Sequence, residues 1–212
     1  MALVKSKLKQ NLQNIFYKMR EDSSKATDEY FSDEVAKACK SFGESGDIVT
    51  VDTGAVSSGS FIGSGSGSIA LNSSLMASPI LACCNLMKQG LGDDTTLANA
   101  IGNGVLAMTT AGQVDTDVVG VTTSPTGSPV PPSSGSAKGT ISCNNSSLIS
   151  GLIDCFRDMK NKYKDEGFDG DDYFADKLSS LMDSYFKGGS VSTSGTGVLM
   201  GTSGTGTMSW RL

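Results

Sequence analysis

Five cysteines, Cys39, Cys83, Cys84, Cys143 and Cys155, and the acidic run "DEGFDGDDYFADK" beginning at Asp165 hold the residue types of this chain that could do chemistry. No two cysteines are spaced as CxxC, and the adjacent Cys83 and Cys84 suit neither a zinc site nor an ordinary disulfide. Histidine is absent, which removes Ser-His-Asp and Cys-His catalysis together with the commonest transition-metal ligand. In the acidic run, Asp165, Asp169, Asp171 and Asp172 hint at calcium, but the spacing of an EF-hand loop and its closing glutamate is not met. Asp28, Asp94 and Asp171 each stand three residues before an apolar helix position, so they, with Asp93 and the other aspartates of the acidic run, are read as helix caps, with an adventitious cation as the alternative. Glycine phrases such as "GSGSGS" lack a Walker lysine and do not follow a strand into a helix, which argues against a phosphate cradle. Asn72-Ser73-Ser74 matches a glycosylation sequon and reads more simply as a helix start. The expectation is a chain with no catalytic centre, no metal ligands and no cofactor.

Composition points the same way. At 212 residues the chain is long enough for one good core or two small ones. With 38% hydrophobic residues and 26 glycines it is too polar for a dense enzyme interior, while 18% charged residues are too few for charge-driven disorder. A net charge of −5 disfavours general binding to nucleic acid or to an anionic membrane. No run is long and apolar enough to cross a bilayer, and the N-terminal "MALVKSKLKQNLQNIFYKM" reads as an amphipathic helix, which predicts synthesis in the cytoplasm.

The elements that must position these residues are written three times. Leu8, Leu12, Ile15, Phe16 and Met19 form one helical face, which returns as Met76, Ile80, Cys83, Cys84 and Met87, then as Leu148, Leu152, Cys155, Phe156 and Met159. Cysteines thus replace Ile15 or Phe16 and are expected to be small buried hydrophobes. A second face runs through Phe31, Val35, Ala38, Cys39 and Phe42, then Leu97, Ile101, Gly104, Val105 and Met108, then Phe174, Leu178, Leu181, Met182 and Tyr185. Gly46, Gly112 and Gly189 follow as C-terminal glycines or turns, and "DIVTVDT", "QVDTDVVGV" and "SVSTS" begin strands. Each unit then passes through a Gly/Ser/Thr arm, with Pro125, Pro129, Pro131 and Pro132 in the second copy. It closes on a strand carrying Ile69 and Leu71, Ile141 and Cys143, or Met208 and Trp210. The predicted fold class is α+β: three tandem repeats over 1–72, 73–145 and 146–212, set in a row or about a pseudo-threefold axis, each a helix pair followed by strands and an arm.

Such arms bury too little to order themselves, so neighbouring copies or chains are expected to complete their strand pairing. Helices, a Val/Thr strand, a polar arm and a terminal strand of the type at Gly63–Ile69, Gly135–Ile141 and Gly201–Met208 resemble small virion structural proteins of tailed bacteriophages. That resemblance implies a non-enzymatic particle component located in the virion, made in the host cytoplasm, with other virion proteins and copies of itself as partners. Its assembly strands would carry Ile69, Leu71, Ile141, Cys143, Met208 and Trp210. Cementing or decorating the capsid through inter-subunit strand pairing is the first reading. A neck, tail or baseplate ring component is the second, and a host-binding adhesin is the alternative of another class.

Overall fold

Each apolar stripe of the sequence lies on a helix and faces inward. In the computed structural model, which describes the backbone over 4–56, 59–123, 133–197 and 200–207, α1 (Lys5–Glu21) buries Leu8, Leu12 and Ile15. The corresponding faces of α3 (Ser74–Lys88) and α5 (Ser146–Lys162) bury Met76, Ile80 and Cys83, and Leu148, Leu152 and Cys155. The second stripes lie on α2 (Asp28–Glu44), α4 (Asp94–Thr110) and α6 (Gly170–Lys187), which bury Cys39 and Phe42, Val105 and Met108, and Met182, Tyr185 and Phe186 among others. Every helix packs on the next in sequence and α6 packs back on α1, closing a ring. The inward residues of all six form one apolar cluster.

The strands close a second ring. They are β1 (Ile48–Val56), β2 (Gly59–Ala70), β3 (Gln113–Thr123), β4 (Ser133–Ser142), β5 (Ser190–Gly197) and β6 (Met200–Thr207), so that two helices are followed by two strands three times along the chain. Each strand is antiparallel to the next, and β6 returns to β1 to complete a barrel. The fold is therefore α+β, a helix ring below a small closed barrel. Ile48, Ile69, Val114, Ile141 and Val191 belong both to the strands and to the apolar cluster, so they join the two layers.

Alternation along the strands explains "GSGSGSIAL". Ser64, Ser66 and Ser68 are exposed, whereas Gly65 and Ile69 are buried. Gly67 stands in register between Ile48 and Thr116, both buried. A six-stranded barrel is narrow: Ile69 with Val114 and Ile141 with Val191 fill its helix-facing end, and further along the strands the buried β-branched residues alternate with glycine or alanine. Thus Ile48, Gly67, Thr116, Ala137 and Gly195 follow one another across five strands. A Cβ at Gly67 would run into the Asp115 carbonyl oxygen and lie 2.7 Å from Thr116 Cγ2; at Gly139 it would lie 2.5 Å from the Ser192 carbonyl oxygen.

Two sequence expectations are corrected here. The Gly/Ser/Thr arms are themselves strands over the described residues, since β2 begins at Gly59 and β4 at Ser133. Of the two sources expected, neighbouring copies or other chains, the first supplies the pairing: each described strand has two neighbours in the same chain, so inter-subunit pairing of the arms is not needed to complete the sheet. Gly46, Gly112 and Gly189 do follow the helices, but none has a positive φ. At Gly112 the reason is space, since a Cβ would lie 2.7 Å from Leu71 Cδ2. The four prolines of the second arm lie outside the described residues.

Candidate functional site

The residues singled out for strand pairing are interior. Ile69, Leu71 and Ile141 are buried and Cys143 is half-buried, while Met208 and Trp210 lie outside the described residues. Leu71 directly follows β2, its backbone N–H donating to Glu44 Oε1 at 2.8 Å. Beside it the helix ring is filled unevenly. Phe186 occupies the space that a side chain at Gly43 would need, with Phe186 Cζ 2.6 Å from a Cβ there. Phe42 and Phe186 meet edge to face with centroids 6.0 Å apart. Tyr185 and Thr109 share a buried hydrogen bond of 2.6 Å between their hydroxyls.

Asp93 and Asp169 cap their helices as expected, whereas for Asp28, Asp94 and Asp171 the cap lies one position or two earlier. The side chains that accept the first-turn N–H groups are Thr27, Asp93 and Asp169, while Asp28, Asp94 and Asp171 stand inside the first turn. At α3 and α5 the accepting side chains are Asn72 and Asn144, which take the Ser74 and Ser146 N–H groups at 3.1 and 2.8 Å. Freed from capping, the three aspartates reach across to another helix pair. Lys88 Nζ lies 2.6 Å from Asp28 Oδ2, Lys160 Nζ 2.8 Å from Asp94 Oδ2, and Arg20 Nη1 2.5 Å from Asp171 Oδ2. α2 is thereby bridged to α3, α4 to α5, and α6 to α1. Sequence reasoning missed the cations, although a signal existed: Arg20, Lys88 and Lys160 keep the spacing of the first helical stripe. Exposed pairs of this kind contribute about 0–1 kcal/mol each. A buried leucine or isoleucine contributes about 1.5–3. The apolar stripes therefore hold the helices together, and the pairs add a small contribution at each seam.

Three of the five thiols are core atoms, and Cys84, expected to be buried, is corrected to the margin of the core. Cys39, Cys83 and Cys155 are buried, Cys84 and Cys143 half-buried, and all five are free. Burial pushes the Cys39 thiol up to about 12 and that of Cys155 to about 11, the reverse of an activated nucleophile. Among the described residues no group of three or more acidic or thiol side chains is arranged to hold a metal ion. No helix among them is long and apolar enough to cross a membrane.

What the surface offers is a shaped wall. A shallow concavity of about 610 Å³ on the barrel is lined by Asp47, Val49, Ser64, Ser66, Asp117 and Val119 among others. Near it Val51, Ile62, Val119 and Val121 are more than half exposed, on adjacent strands β1, β2 and β3. Ile62 stands opposite Val121, and Ser64 lies between Val51 and Val119. The corresponding outward positions of β5 are serines: Ser190, Ser192 and Ser194. One side of the barrel is therefore suited to apolar contact and another is not. Compared with known protein families, curated proteins and solved structures, the chain finds no match in any of the three.

Proposed function

We propose that the chain is a non-enzymatic structural protein of a tailed-phage virion, built as three copies of one helix–helix–strand–strand unit about a pseudo-threefold axis. One chain then does the work of a trimer and cements or decorates a local threefold position of the capsid. The observation that carries this reading is the cyclic set of ion pairs, Asp28–Lys88, Asp94–Lys160 and Asp171–Arg20, in which each unit holds the next and the last holds the first. The compositional resemblance of Gly63–Ile69, Gly135–Ile141 and Gly201–Met208 to virion strands supplies the setting. With the barrel closed, contact with other virion proteins falls to outward side chains, Val51, Ile62, Val119 and Val121 first, in place of strand edges.

Fusion of the three units explains why they differ. In a homotrimer three identical residues would meet near the axis, and small residues there would leave a void. Here Gly43, Thr109 and Phe186 occupy corresponding places, and the phenylalanine fills what the glycine leaves. The same freedom lets one outer face be apolar while another stays polar. Quantitative mass spectrometry of the purified particle tests the reading. On the order of hundreds of copies supports capsid cement; about six or twelve would replace it with a neck, tail or baseplate ring. Absence from the particle overturns the virion assignment.

A further inference from the structure

Three seams join successive helix pairs. The α2/α3 and α4/α5 seams lie between elements already tethered through a β-hairpin, whereas the α6/α1 seam brings together the first and last helices of the chain. Their chemistry differs accordingly. Where α1 carries Lys9 and Gln13, the corresponding positions of α3 are Ala77 and Leu81 and those of α5 are Ile149 and Ile153. At the α4/α5 seam Ile149 packs into the space beside Gly102. At the α6/α1 seam Lys9 Nζ lies 3.1 Å from Asp172 and 3.4 Å from Asp176, and Gln13 Nε2 donates to Asp172 Oδ1 at 2.5 Å. Arg20 adds its pair with Asp171, and Phe16 meets Phe174 edge-on at 5.8 Å.

We propose that the α6/α1 seam is an ionic latch, the place where the helix ring opens first and the seam that salt loosens most. The Lys9, Asp172 and Asp176 side chains are 28–48% exposed, so mobile ions reach them. The Debye length falls from about 10 Å at 0.1 M to about 3 Å at 1 M salt, and the attraction across the seam weakens with it. The other two seams carry one ion pair each, Asp28–Lys88 and Asp94–Lys160, beside apolar contacts that sodium chloride does not weaken, and their hairpins keep the partners close. Opening the latch uncovers Leu8, Leu12 and Ile15 of α1 together with Phe174 and Leu178 of α6, an apolar face that the closed ring hides. The latch is independent of the virion reading and depends only on the ring geometry.

Hydrogen exchange on the full chain from about 50 mM to about 1 M sodium chloride tests it. The α1 amides are expected to exchange about fivefold faster at high salt, while those of α3 and α4 do not accelerate. Asp172→Asn should raise α1 exchange at low salt and flatten its salt response. Unchanged protection of α3 and α4 shows that this variant folds. Asp94→Asn, at a tethered seam, should leave α5 protection as it was. Acceleration of all six helices together, no response in α1, or an Asp172→Asn chain with the parent's salt dependence would each overturn the latch.

Discussion

Replacing Gly67 by valine tests the account of the barrel wall most directly. Its neighbour Ser66 points outward and is exposed, so Ser66→Val adds comparable bulk one residue away on the opposite face. At Gly67 even a Cβ would strike the Asp115 carbonyl oxygen and lie 2.8 Å from Thr116 Cα, both backbone atoms that cannot rotate aside. Relieving those contacts requires β2 and β3 to separate, which strains a ladder closed on both sides. Overpacking of this kind costs about 1–3 kcal/mol. The gain of about 0.5–1 kcal/mol from removing a strand glycine offsets only part of it. Urea denaturation should therefore show a lower midpoint for Gly67→Val at unchanged slope, with Tm lower by about 2–4 °C per kcal/mol for a chain of this size. Ser66→Val should stay within about 0.5 kcal/mol of the parent. A neutral or stabilised Gly67→Val chain, or a Ser66→Val chain that is the more damaged of the two, would refute the inward-glycine register.

Phe186→Ala should destabilise by about 3–5 kcal/mol in the same assay, because the ring fills the space beside Gly43 and no neighbour can replace it. Tyr185→Phe should cost about 0.5–1.5 kcal/mol by losing the bond to Thr109, whose hydroxyl still donates to the Val105 or Leu106 carbonyl. The Cys39 thiol, fully buried and pushed up to about 12, should react with a maleimide only at the rate of global unfolding; rapid labelling of native protein would contradict its placement. For pH, the Lys9 ammonium, with further help from Gln13, holds the Asp172 carboxyl below its ordinary value. Its contribution is thus complete above the usual aspartate range and is lost as pH falls through the depressed value. Asp172 in turn raises Lys9, whose contribution is lost only at strongly alkaline pH. Thermal melts of the parent and of Asp172→Asn should therefore converge on acidification.

Helices were the legible part of this protein. A stripe such as Leu8, Leu12, Ile15 repeats at 3.6-residue spacing wherever a helix has one buried side, so α1 to α6 and their inward faces could be read without knowing their partners. The strand starts were legible for a related reason, since Ile48, Val114 and Val191 are β-branched residues just past a glycine. The closing phrases at 63–71 and 135–143 were legible as strands from Ile69 and Ile141, but not how far the strands reach back into the Gly/Ser/Thr arms or what they pair with. The register that turns Gly67 and Gly139 inward, where a Cβ would meet the neighbouring strand, is set by the closed barrel. Nor could local rules assign Asp28, Asp94 and Asp171. Each looks like a cap from its own helix, and only the helix ring brings Lys88, Lys160 and Arg20 within reach. Periodicity within one element belongs to the sequence. Closure, which decided that the barrel supplies its own partners and that the last helix meets the first, exists only once all twelve helices and strands are in place.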